Sequence, residues 1–266
     1  MNRTVRLLFT VSAFTCPTLL RADVPEVQWG WEYKPIPPAQ VVLKAVEAMS
    51  KQKFIHAEVL GAHYTLGWND FADDIPAEFR KAGELTRAVL ADSNLSPQVM
   101  RLAHWLFAWV LASEGDFQRA LREADATMAL APFDGIMSAH LAQMLIPAGE
   151  IEKGMQWNEA AGLRDPGGIQ FQNYTRGLAL RLLGKNEESI AAFKKSPYPN
   201  FDTPLHVAIA LVRLARFDEA KDEVKLALKT NPKFTGAVFE STFFYRDPSI
   251  PKAEIVDLAK AGLPEK

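Results

Sequence analysis

The stretch that decides the fold is Leu102–Pro132, LAHWLFAWVLASEGDFQRALREADATMALAP. Its first half places Leu102, Trp105, Leu106, Trp109 and Val110 at the three- and four-residue steps of one helix face. Gly115-Asp116 then supplies a turn, and Ala120, Leu121, Ala124 and Met128 mark a second helix that Ala131-Pro132 ends. The punctuation recurs along the chain. Gly115 is followed by Gly149 and Gly184, at spacings of 34 and 35, and Pro132 by Pro166, 34 residues on. Self-similarity at such a period means an array of small units, each burying its apolar face against its neighbours.

A helix-turn-helix unit of this length resembles the tetratricopeptide repeat, in which small residues stand where the two helices approach closely. Here Ala108 and Ala120 take those places. The next unit runs Gly135–Pro166 with Ala142, Gly149 and Gly154. A third carries Gly177, Leu180, Gly184 and Phe193 and closes near Pro199-Asn200. A fourth carries Ala208, Leu211, Phe217, Ala220 and Ala227 and closes at Asn231-Pro232, with Ala215 where the turn glycine is expected. Upstream lies a stretched unit with Leu60, Gly61, Tyr64 and Ala82, interrupted by the insertion Gly67–Asp74 before Pro76 starts a helix. Lys252–Ala261 is an amphipathic helix ended by Gly262 and Pro264, placed to cover the last unit. The expectation is an all-α tetratricopeptide repeat solenoid over residues 41–266, about five helix-turn-helix units plus a C-terminal capping helix.

The chain before it has a different texture. Residues 1–22 read as an export signal, with Arg3 and Arg6 ahead of an uncharged stretch and Ala22 at a cleavage point. The apolar run is shorter than the roughly 20 residues of a transmembrane span. Residues 23–40 form a proline- and aromatic-rich strap, with Pro25, Pro35, Pro37 and Pro38 around Trp29, Trp31 and Tyr33. Prolines at that density favour extended chain, and the aromatics suit packing on the first helices or contact with a partner.

Composition narrows the function classes. The formal net charge of −2 excludes a chain-wide basic footprint for nucleic acid. The single cysteine, Cys16, excludes a disulfide framework and a multi-cysteine zinc site. Removal of residues 1–22 would take away Arg3, Arg6 and Arg21, giving −2 − 3 = −5, and would leave no cysteine. The expected product is periplasmic or secreted, in a bacterium, with no membrane insertion after signal removal and no cofactor.

A narrower resemblance rests on two motifs. Leu66-Gly67-Trp68 with Asp73-Asp74, and Tyr245-Arg246-Asp247-Pro248 followed by Lys260-Ala261-Gly262-Leu263-Pro264-Glu265, are similar to the C-terminal repeat module of bacterial class III adenylate and guanylate cyclases and of some winged-helix regulators. The resemblance covers roughly Ala57 to the end. It implies a sensory or scaffolding module; the cyclase activity does not carry over, because the space before the repeats is too short for a typical domain of about 100–150 residues.

No nucleophile elbow, phosphate loop or helical zinc motif stands in the sequence, so no catalytic or metal-binding residue is assigned. His104, His140 and His206 fall on the first helices of different units and read as ordinary surface or buried histidines. What remains is the concave groove that first helices line in this architecture. Its register includes Trp105 and Trp109, Gln143, Tyr174 and Arg181, and Arg213, aromatic and arginine positions suited to packing and to carboxylates. Trp105 and Trp109 fit the core between units equally well. The leading expectation is a non-enzymatic scaffold that binds a peptide or protein in this groove. The alternative is a small-molecule sensor built from the Trp68 loop and the strap.

Overall fold

The structure, a computed structural model, describes residues 75–92, 95–164, 169–196 and 202–265. The expected signal, the strap and the insertion around Trp68 lie outside these residues. Among the described residues the fold is all-helical, without strands: α1 Ile75–Leu90, α2 Pro97–Ser113, α3 Phe117–Leu130, α4 Gly135–Leu145, α5 Ile151–Arg164, α6 Ile169–Leu182, α7 Asn186–Lys194, α8 Thr203–Arg213, α9 Phe217–Thr230, α10 Gly236–Thr242 and α11 Ser249–Lys260. No helix among them is long and apolar enough to cross a membrane. The chain divides into two compact units, 1–110 and 111–266.

In the first unit, α1 begins one residue before Pro76, which the first turn tolerates because its missing N–H has no helical partner there. Ala82, Leu102, Ala103, Leu106 and Ala108 are buried. The Arg87 guanidinium lies 5.4 Å from the centre of the Phe107 ring, a cation–π contact.

The second unit is ordered by its turns. Gly115, Gly149 and Gly184 all have positive φ, +80°, +87° and +74°. Each closes the same pair of bonds, in which the glycine N–H donates three residues back and the following N–H donates five residues back. That is a Schellman closure, and its left-handed residue favours glycine because a Cβ there meets the backbone. Ala215, where a departure from the pattern is expected, has φ +58° and closes the same two bonds, to Val212 and to Leu211. The backbone motif therefore continues through the position that lost its glycine.

These turns fold α4 on α5, α6 on α7 and α8 on α9. Small residues let the helices approach. A Cβ on Gly154 would stand 2.8 Å from Ile146 Cγ1, and one on Gly177 would stand 2.8 Å from three carbons of the Phe193 ring. Side chain to backbone bonds tie these helices together: Ser189 Oγ donates to the Gly177 carbonyl at 2.8 Å, and Ser138 Oγ to that of Trp157 at 2.9 Å. Asp134 caps α4 by accepting from the Met137 N–H at 2.9 Å.

The C-terminal helix starts at Ser249, three residues before the expected Lys252, because Pro251 falls in its first turn. Gly262, φ +92°, ends it as expected, and the Leu263 N–H donates back to Leu258. The short helix α10 had no counterpart in the sequence reading. The core of this unit gathers Tyr174, Phe193, Leu205, Ile209, Phe234 and Phe239 with Leu258, Ala261 and Leu263 from the end of the chain.

Candidate functional site

Three helix faces meet in the second unit. On α6, Tyr174, Gly177 and Arg181 lie at steps of three and four; on α8, His206, Ile209 and Arg213 do the same, with Asp202 at the N-cap; on α11, Glu254, Asp257 and Leu258 share a stripe that Ala261 continues at the C-cap. The Arg181 side chain is fully buried. Its Nη1 pairs with Glu254 Oε1, and its Nη2 donates to Tyr245 Oη at 2.9 Å. Tyr245 Oη in turn donates to Glu254 Oε2 at 2.9 Å, closing a ring of three side chains. Beside it, Arg213 Nε donates to Asp257 Oδ2 at 3.0 Å, and Arg213 Nη2 lies 3.7 Å from Glu254 Oε1.

A second cluster adjoins Arg181. Tyr174 Oη donates to Asp202 Oδ2 at 2.5 Å and lies 3.2 Å from His206 Nε2. Burial, the Asp202 charge and this hydrogen bond push the Tyr174 hydroxyl well above its ordinary range, so it stays a donor. Burial pushes His206 below the usual histidine range, Asp202 pulling the other way and Arg181 adding to the depression. His206 Nε2 also lies 3.5 Å from Asp202 Oδ2. His206 Nδ1 and Asp202 Oδ1 have no hydrogen-bond partner among the described residues. The imidazole stacks on Phe193, with centroids 5.7 Å apart and planes at 16°, and meets the Phe243 ring edge-on at 5.2 Å.

Tyr174 and Arg181 on α6 and Arg213 on α8 thus border the same clusters. Their neighbours are different from the expectation. Tyr174 and Arg181 are buried, and both arginines are engaged by carboxylates of the chain's own C-terminal helix. Gln143, on α4, is also buried, its Nε2 without a hydrogen-bond partner among the described residues. Trp105 and Trp109 belong to the first unit and are buried there, 6% and 2% exposed, which is the core placement left open by the sequence. Of the six groove positions, only Arg213 keeps a substantial exposed surface.

Sequence reasoning missed Asp202, Tyr245, Glu254 and Asp257. Tyr245 stood in a motif singled out for other reasons, and the carboxylate pair one turn apart on the terminal helix was the available signal. Among the described residues no group of three or more His, Cys, Asp or Glu side chains is placed to hold a metal ion. His140 is a separate case: burial holds it down at about 4, with Asp134 pulling it up. No protein-family model matches the chain, and no curated protein matches it.

Proposed function

We propose that the chain is a non-enzymatic, exported scaffold of tetratricopeptide type, which holds a peptide or protein partner against the face formed by α6 and α8. The repeat reading draws support from the recurrence of one turn geometry at residues 115, 149, 184 and 215 and from small residues at the close approaches between helices. The resemblance to the cyclase repeat module agrees with an adaptor that works on a separate effector. The observation that carries the binding reading is the pairing of Arg181 and Arg213 with two carboxylates of a helix lying on this face. A face that accepts one helix by charge and apolar fit is suited to another. The sensor reading rests on the Trp68 loop and the strap, which lie outside the described residues.

The test compares Asp257→Asn, in which the Arg213–Asp257 pair is already broken, with Asp257→Asn/Arg213→Ala, each immobilised and exposed to periplasmic extract, with matched helicity by circular dichroism. A partner retained by Asp257→Asn should fall about tenfold or more in the double variant, the loss of one charge-assisted contact. Equal capture by two equally folded proteins would contradict the assignment of this face.

A further inference from the structure

The segment Phe243–Glu265 follows an unusual path for a terminal cap. The Arg246 N–H donates to the Pro147 carbonyl at 3.0 Å, and its guanidinium lies 3.8 Å from Glu150, so the segment begins at the α4–α5 turn. It then reaches Arg181 on α6 through Tyr245 and Glu254, and Arg213 on α8 through Asp257. It ends with the Pro264 and Glu265 carbonyls accepting from the N–H groups of Gly236 and Ala237 at the start of α10. One continuous stretch thus touches three successive helix hairpins, the path that an extended or helical ligand would take across them. The sequence reading placed this helix on the last unit alone.

The docked face of α11 is a short recognition pattern. Glu254 and Asp257 are one turn apart and meet the two arginines, while Leu258, Ala261 and Leu263 enter the core. The opposite face is open: Lys252, Ala253, Val256, Ala259 and Lys260 are exposed. At α6 and α8 the receiving side chains are basic and those of the segment acidic, while at the α4–α5 turn the polarity reverses, with Arg246 against Glu150, so charge complementarity sets the register. The hydrogen-bond partners of Arg181, Glu254 and Tyr245, come from the segment itself, so they leave it together. A buried ion pair of this kind holds geometry more than it adds stability, because desolvation offsets much of the attraction.

We propose that Phe243–Glu265 is an intramolecular occupant of the partner groove, which keeps Arg181 covered and Arg213 paired until an acidic amphipathic helix of a protein partner displaces it. The partner's helix presents two carboxylates one turn apart beside an apolar residue, the pattern of Glu254, Asp257 and Leu258. This inference rests on the groove reading above and specifies both its ligand and its regulation. The apparent affinity for such a partner is reduced by the fraction of molecules whose segment is undocked.

The experiment uses the full chain in two forms, wild type and Asp257→Asn, which loosens the latch at its partly exposed end and leaves the buried Arg181 pair in place. Amide hydrogen exchange reads the segment, residues 249–260, against α8, residues 203–213. A fluorescent synthetic peptide of residues 243–265, with a Gln/Asn version lacking the two carboxylates as control, reads groove binding by anisotropy. Segment amides should exchange faster than those of α8 in wild type, and about tenfold faster again in Asp257→Asn. The peptide should bind Asp257→Asn about tenfold more tightly than wild type, and the control peptide should bind neither. Segment and α8 amides exchanging together in both proteins would overturn the proposal and leave the groove reading standing. A segment that opens independently while the peptide binds neither protein would overturn the groove reading and the proposal with it.

Discussion

Replacing Ala215 by glycine should make the protein more stable, although it removes a methyl group and adds no contact. Ala215 sits at φ +58° and is exposed, so its side chain contributes no core packing that could be lost. An L-residue in the left-handed region costs about 1–2 kcal/mol relative to ordinary helix conformation, a cost that glycine avoids. Against this, glycine has more freedom to lose from the unfolded chain, about 0.4–1 kcal/mol. The difference leaves a net gain of about 0.5–1 kcal/mol, or roughly 1–4 °C in Tm for a chain of this size. Gly184→Ala is the mirror control. It has φ +74° with nothing within 4 Å of a Cβ, so its cost is purely conformational and should be of similar size and opposite sign. Thermal unfolding followed at 222 nm, with urea melts at 25 °C, reads both. If Ala215→Gly lowered stability while Gly184→Ala also lowered it, residue 215 would not occupy the turn conformation that its three glycine counterparts share, and the continuity of the hairpin motif would be wrong.

Two further outcomes follow from the core and its histidines. Gly177→Ala pushes a methyl group to 2.8 Å from the Phe193 ring, which Tyr174 and His206 hold at centroid distances of 5.7 Å. Overpacking of up to about 3 kcal/mol outweighs the roughly 1 kcal/mol that alanine gains in helix propensity; urea melts should show a net loss of about 1–2 kcal/mol, relieved by adding Phe193→Leu. Acid should destabilise the fold before ordinary carboxylates titrate. His140 is held at about 4 in the folded state against an ordinary 6.5, so the unfolded chain binds more protons between those values. Its contribution is intact above pH 6.5 and is lost as pH falls towards 4, by at most about 3 kcal/mol. His206, also depressed, acts in the same direction. Urea melts at pH 7.5, 6, 5 and 4 should show a shallower decline in His140→Gln than in wild type.

The parts of the fold legible in the sequence are those governed by local chemistry. Gly115, Gly149 and Gly184 announce left-handed turns because a side chain resists that conformation, and the helices follow from apolar residues at three- and four-residue steps. At Ala215 the sequence marks the turn but not its conformation, because alanine resists the left-handed region; a φ of +58° and the bonds made by neighbouring N–H groups show that the conformation persists. Ser249, Ile250 and Pro251 lie outside the expected helix because Pro251 reads as a helix boundary, yet proline in the first turn displaces no helical hydrogen bond. Helix α10, seven residues with a glycine at its start, is too short to leave a periodic signal. The site was legible in part. Tyr174 and Arg181, seven residues apart on α6, share a face by helical period alone. What covers that face was hidden, since Glu254 lies 73 positions beyond Arg181 and nothing local in either stretch names the other. An acidic pair on a terminal amphipathic helix reads as a solvated surface until the arginines opposite it are placed.

The central claim is that the C-terminal helix lies on the face of α6 and α8, with Glu254 against Arg181. A double-mutant cycle tests it directly, using Arg181→Met, Glu254→Met and the two combined, with unfolding free energies from urea melts. Glu254→Met leaves the buried Arg181 with the Tyr245 hydroxyl alone and should cost about 3–5 kcal/mol, whereas Arg181→Met leaves Glu254 with Tyr245 and, at 3.7 Å, Arg213 and should cost less. The double replacement removes both charges and should cost far less than the sum, with a coupling energy of about 2 kcal/mol or more. Costs that add to within about 0.5 kcal/mol would mean that the two side chains do not meet, and the C-terminal segment would not lie where it is described.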